Sequence, residues 1–223
     1  MIARIVVSSK GNPEAVSACV DECRRQCDQL ITSESDSIEI IMNDDGDAGC
    51  TLWDSDPAAA LPDFCLWLGR PVILKDDALS SLMLNSGFLR HKAIIACSVA
   101  GEDGKIVYGG HSKRGKLLEP DPTIPIPCHL YDTAMLFVPR DAFTKVALPS
   151  DIFTQSFFDY GCGEKPFSAG VPRVLAPGIL ATTTDARQIP AMLDPSLSLT
   201  RRTEAFIRTL CHDVARAIRS VFR

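Results

Sequence analysis

The sequence predicts a mixed α/β domain, with a mainly parallel sheet flanked by helices and a C-terminal helix. Three observations predict it. The apolar, β-branched runs IARIVV (2–7) and AIIACSVA (93–100), with FCLWL (64–68), read as strands covered on both faces. Strand and helix patterns alternate through the first ninety residues and strands dominate afterwards, so a parallel half joins a mixed half. From Ser198 the chain reads as helix, with Phe206, Leu210, Val214 and Ile218 at helical spacing. The expected organisation is one domain over 1–197 with a basic amphipathic helix, 198–223, packed on it.

Each element has its own signal. Ser9-Lys10-Gly11-Asn12-Pro13 is a turn, and Pro13 suits the first position of a helix over 13–31. That helix turns Ala15, Val16, Cys19, Val20, Cys23, Cys27 and Leu30 inward. SIEIIMN (37–43) is a second strand, ending in Asp44-Asp45-Gly46-Asp47. After FCLWL, Asp76 is placed to cap a helix containing Leu79, Leu82 and Met83. Gly101-Glu102-Asp103-Gly104 followed by KIVYGG signals a hairpin. Residues 111–127, with four prolines, read as an irregular surface loop. AMLFVPRDAF (134–143) is a strand leading into a short helix, and PRVLAPGI (172–179) a last strand.

Composition narrows the function. With 223 residues, a net charge of −5 and 23% charged residues, the chain can bury a sizeable core, and its overall charge gives no reason to expect nucleic acid. It starts directly on a strand-like run, with no signal-type segment, and no apolar stretch reaches the length of a membrane span. A cytoplasmic location is the expectation. The nine cysteines form no close Cys-x-x-Cys pair, so zinc is not indicated. Cys19, Cys23 and Cys27 fall on one helical stripe and read as small core residues.

The motifs, taken in order, resemble a family 2 glycosyltransferase of GT-A fold, the nucleotide-diphospho-sugar transferase fold, in particular the bacterial branch that builds surface polysaccharides. RIVVSSKGNPEAV resembles the family's first strand and turn, and EIIMNDDGDAG its second strand and acidic turn. DFCLWLGRPVILKDDAL resembles the strand that normally bears the metal-binding acids. GEDGKIVYGGHSKRGKLLEPD and LFVPRDAF resemble segments beyond it, FFDYG the acidic motif near the acceptor, and DPSLSL the approach to the C-terminal helix.

The resemblance implies a nucleotide-sugar donor and a polysaccharide or lipid-linked acceptor. It places Ser9, Asp44 and Asp45 on the nucleoside, where the carboxylates accept hydrogen bonds from base and ribose. In the family a divalent ion on the third strand neutralises the departing diphosphate, and a carboxylate takes the acceptor's proton.

Three departures bear on activity. Where an acidic pair should follow Leu68, the chain has Gly69, Arg70 and Pro71, so a divalent cofactor is not supported there. Arg70 either pairs with diphosphate in the metal's place or is a solvated strand-end residue. Phe157 occupies the expected base position, which leaves Asp159 as stand-in base or as a structural hydrogen-bonding group. Only fifteen residues (48–62) separate Asp47 from Asp63, which trims the donor pocket.

On the acceptor side, His129 and Asp132 are either an acid/base pair or a local structural one. The arginines from Arg201 to Arg223 suit either a solvated helix face or peripheral contact with the inner membrane face. Two readings follow: a glycosyltransferase working without the usual metal site, or a silent homologue acting as a nucleotide-binding or partner subunit.

Overall fold

The computed structural model describes residues 1–9, 11–43, 62–113, 116–143 and 170–184. These lie in one compact unit, Met1–Ala186. Asp44, Asp45, Asp159, the domain limit at 197 and the helix expected from 198 lie outside the described residues. The strands are β1 (Ile2–Ser8), β2 (Ser37–Asn43), β3 (Phe64–Leu68), β4 (Ile73–Leu74), β5 (Ile94–Ala100), β6 (Ile106–Tyr108), β7 (Gly110–His111), β8 (Ile126–Pro127), β9 (Leu130–Tyr131), β10 (Leu136–Pro139) and β11 (Arg173–Thr182). The helices are α1 (Pro13–Leu30), α2 (Ala78–Phe88) and the single turn α3 (Arg140–Phe143).

The sheet runs β2-β1-β3-β10-β5-β11-β4, with β6 paired to β5 and β8 to β11. Along the main path β2, β1, β3, β5 and β11 point the same way, while β10 and β4 run against them. The arrangement is a mainly parallel mixed sheet. Side chains alternate between its faces, as the two-residue strand period requires. One face takes Ala3, Ile5 and Val7 with Leu66, Leu68, Ile95 and Cys97, and both long helices pack there. The other takes Val6, Cys65, Trp67, Ala96 and Leu136, covered by Cys128, Tyr131, Ala142 and Val171. Burial on both faces is why these strands read as unbroken apolar runs.

Helix α1 starts as its sequence dictates. Asn12 Oδ1 accepts the Glu14 N–H at 3.0 Å, and Pro13 fills the position where an N–H would have no partner. Its cysteine stripe is fully in the core, with Cys19 and Cys23 completely buried. Packing is what these residues do.

The start of α2 corrects the expectation that Asp76 caps it. The N-cap residue is Asp77, and its side chain makes no capping bond to the backbone. Gln26, buried on α1, supplies the acceptor instead: its Oε1 takes the Leu79 N–H at 3.0 Å, and its Nε2 donates to the Lys75 carbonyl at 2.6 Å. Asp76 is turned outward to Arg25 at 2.9 Å. A cap brought from another helix is invisible to local pattern.

The hairpin between β5 and β6 forms at the expected glycines, with Gly104 at φ +75°. The last strand is longer than PRVLAPGI. It continues to Thr182 through Pro177 and Gly178, and its register against β5 shifts on either side of Ile179. Such an irregularity is where a strand tolerates proline.

Candidate functional site

The chain's path locates the site before any side chain is considered. From β1 it crosses through α1 to β2 on one side, then returns to place β3 on the other. Successive crossovers in opposite directions make the carboxyl ends of β1 and β3 the topological switch point, where open α/β sheets form their ligand crevice. Ser9 follows β1, Asn43 ends β2, and Gly69-Arg70 follow β3. Of the expected nucleotide and diphosphate residues, Ser9 and Arg70 flank this crevice.

On the β2 side the polar groups are backbone-anchored and leave capacity over. The Asn43 carbonyl accepts both the Ser9 N–H and the Ser9 hydroxyl, each at 3.0 Å. The hydroxyl proton is thus committed, while the oxygen lone pairs can accept from a ligand hydroxyl. Asn43 is 5% exposed, and its Nδ2 has no hydrogen-bond partner among the described residues. Sequence reading passed over Asn43 in favour of the acids after it, because only burial reveals its uncommitted donor.

On the β3 side the backbone is closed. The Gly69 N–H donates to the Ala134 carbonyl at 3.1 Å, as the chain entering β10 passes across the end of β3. A Cβ at position 69 would lie 2.4 Å from the Thr133 carbonyl oxygen and 2.8 Å from Trp67 Nε1. No side chain fits at position 69, carboxylate or otherwise. Arg70, half-buried, projects beyond this block with its guanidinium carbon 5.4 Å from the centre of the Tyr108 ring. That cation–π contact holds the charge at the sheet edge.

The acceptor-side candidates separate by burial. Asp132 is 2% exposed; its Oδ2 accepts the Gly109 N–H at 3.0 Å and lies 2.9 Å from Nε2 of His111, itself 3% exposed. His129 is exposed, and its backbone N–H donates to the His111 carbonyl at 2.8 Å. The Asp132 N–H in turn donates to the Gly109 carbonyl at 2.8 Å, so the carboxylate and its own backbone clamp one residue. His111 was not singled out with Asp132 because twenty-one positions separate them. The small β7–β9 ladder brings them together.

These residues do not fit a divalent ion. Hard cations need several oxygen ligands. Position 69 is closed, Arg70 is a cation, and the Asp132 carboxylate is buried against His111 and Gly109. Among the described residues no three His, Cys, Asp or Glu side chains cluster. Cys65 and Cys128, on the other face of the sheet, are not nucleophiles either: burial pushes each thiol up to about 12, so both stay protonated at neutral pH.

A cavity of about 410 Å³ opens at the opposite, amino edge of the sheet, between Met1, Asp63, Phe64, Met83, His91 and Arg140. Asp63 there accepts from the Ile2 N–H at 2.8 Å and pairs with Arg140 at 2.9 Å, tying β1 to α3. Strand direction therefore puts it away from the switch point.

No protein-family model matches the chain, and no curated protein matches it. Among solved structures, GalNAc-T7 with UDP, GalNAc and Mn2+ aligns at a TM-score of 0.52 and 10% identity, over 82% of this chain. The fold is GT-A-like. This chain covers 43% of the GalNAc-T7 chain, less than half its length. A second structure, A197 from STIV, aligns at a TM-score of 0.48 and 11% identity over 81% of this chain and 84% of that one. The fold expectation is met. The finer likeness to a bacterial polysaccharide branch is not carried by these neighbours. No described helix is long and apolar enough to cross a membrane.

Proposed function

We propose that this chain is a glycosyltransferase-like protein that binds a nucleotide-sugar at the carboxyl ends of β1 and β3 and transfers the sugar to a polysaccharide or lipid-linked acceptor. One observation carries the reading: on a GT-A-like sheet, the β1/β3 crevice has Ser9 and Asn43 on one side and Arg70 on the other. Adjacent strands lie ~4.8 Å apart, so the ends of β2, β1 and β3 span about 10 Å, the reach of a nucleoside into its first phosphates.

In this reading Asn43 and Ser9, with Asp44 and Asp45, take the nucleoside. Arg70 takes the diphosphate as a fixed cation in place of a metal. Asp159 takes the acceptor proton as the hydroxyl attacks the anomeric carbon. Asp132 and His111 support the acceptor-side loop through Gly109, and His129 faces the acceptor. UDP is the first nucleotide to try, since GalNAc-T7 was solved with it. Peripheral contact with the inner face of a membrane, through the C-terminal arginines, would bring a lipid-linked acceptor to the site.

A second reading is favoured by the closure at Gly69 and the burial of Asp132. In it the chain binds nucleotide without turnover and serves as a partner subunit. Donor-consumption and transfer assays, run on the wild type and Asp159→Asn over a panel of nucleotide-sugars, separate the two. Turnover lost in Asp159→Asn supports the enzyme. Binding with no turnover in either protein supports the silent subunit.

A further inference from the structure

Helix α2 is built unlike α1. From Ala78 to Leu89 the chain carries no charged residue, and apolar side chains occur on both sides of the helix. The inner side is explained, since Ala78, Leu79 and Leu82 are buried in the core. The outer side is not: Leu84 is 76% and Phe88 77% exposed, one turn apart on the same face. Ser80 is also exposed, and so is Gly87, where an added Cβ would meet nothing within 4 Å.

Charge at the two ends of the helix is opposite in sign. Asp76 and Asp77 precede it, both exposed, Asp76 also within 2.9 Å of Arg25 on α1; Arg90, His91 and Lys92 follow it, all exposed. Arg90 and His91 sit at φ 55° and 57°, closing the helix so that the His91 N–H reaches the Ser86 carbonyl at 2.8 Å. The basic groups are therefore gathered at the helix end.

We propose that this face is a self-association surface, on which α2 packs antiparallel against α2 of a second copy about a two-fold axis near Leu84. A two-fold interface must be self-complementary, and this face meets that demand. Counting equal steps either side of Leu84 sets Phe88 of one copy opposite Ser80 of the other, a large side chain over a small one. The same count sets Asp76 and Asp77 against His91 and Lys92. A parallel pairing would set like charges together at both ends. The apolar area is small for a stable dimer, so the assembly is weak and concentration-dependent.

Sedimentation velocity of the full chain over a concentration series tests this. The wild type should show a monomer–dimer equilibrium, weakened at least ten-fold by Phe88→Glu, whose exposed side chain leaves the fold intact by circular dichroism. Two charge-reversed proteins, Asp76→Lys/Asp77→Lys and Arg90→Glu/Lys92→Glu, should each be monomeric alone and dimerise when mixed, because the antiparallel pairing then matches at both ends. A wild type monomeric throughout, a dimer indifferent to Phe88→Glu, or a mixture that stays monomeric would each overturn the proposal. A wild type that is monomeric yet captures a different protein through this face would overturn it as well.

Discussion

The two sides of the β1/β3 crevice are built to different ends. At β1 and β2, Ser9 leans on the Asn43 carbonyl, and the Asn43 side-chain amide is buried with a donor to spare among the described residues. At β3 and β10, the groups that a sequence alignment would assign to chemistry are consumed by structure: Gly69 lies under the Thr133 carbonyl, and Asp132 is buried against His111 and Gly109. The difference teaches that residue type at a strand end does not define a site. What matters is whether its hydrogen-bonding capacity is already used.

Variants on the closed side should therefore cost stability and those on the open side ligand affinity. The largest effect is expected from Asp132→Ala, which removes the acceptor of the buried Gly109 N–H and the carboxylate that lies 2.9 Å from His111 Nε2. A loss of about 3 kcal/mol is expected in denaturant unfolding, with His111→Gln milder because the Gly109 N–H keeps its acceptor. Next is Gly69→Ala, whose new methyl meets a backbone carbonyl that cannot yield: a loss of roughly 1–3 kcal/mol, read as a fall in melting temperature. If Gly69→Ala melts like the wild type, the closed side is not closed.

Arg70→Ala stands between the two classes. Losing the contact over Tyr108 should cost ~0.5–1 kcal/mol of stability, while losing a charge-assisted bond to diphosphate should weaken nucleotide binding by roughly ten-fold or more in calorimetry. Smallest in stability is Asn43→Leu. Replacing a donor that makes no bond with an apolar group of similar shape should be close to neutral for folding, yet weaken nucleotide binding by about 1 kcal/mol. A variant destabilised by more than its ligand affinity falls would place Asn43 on the structural side and break the comparison.

Much of the fold was legible because its causes are local. The apolar runs at 2–7, 64–68 and 93–100 are strands since both faces of the sheet are covered, and Pro13 opens α1 where proline costs no hydrogen bond. The insertion of β10, antiparallel between β3 and β5, was not legible, and it decides the site. Its approach brings the Thr133 carbonyl over position 69, so glycine there is a packing requirement that reads, in sequence, as a missing acid. Pairing between distant strands likewise gave Asp132 its partner. His111 comes from β7, whereas the nearest histidine in sequence, His129, is exposed. On α2 the residues named from the sequence do pack inward, Leu79 and Leu82 buried and Met83 against the core, while the exposed Leu84 and Phe88 of its outer face went unremarked.

The central claim is that the open side of the crevice binds a nucleotide-sugar without a divalent ion at β3. It is tested most directly by the melting temperature of the wild type against UDP-, GDP- and TDP-sugars, each with and without manganese. Ligand at a hundred times its dissociation constant stabilises by about 2.7 kcal/mol, or roughly 5–10 °C for a domain of this size. The account predicts such a shift with one nucleotide, equal with and without manganese and reduced in Arg70→Ala. A shift seen only with manganese, or none with any nucleotide, would contradict it.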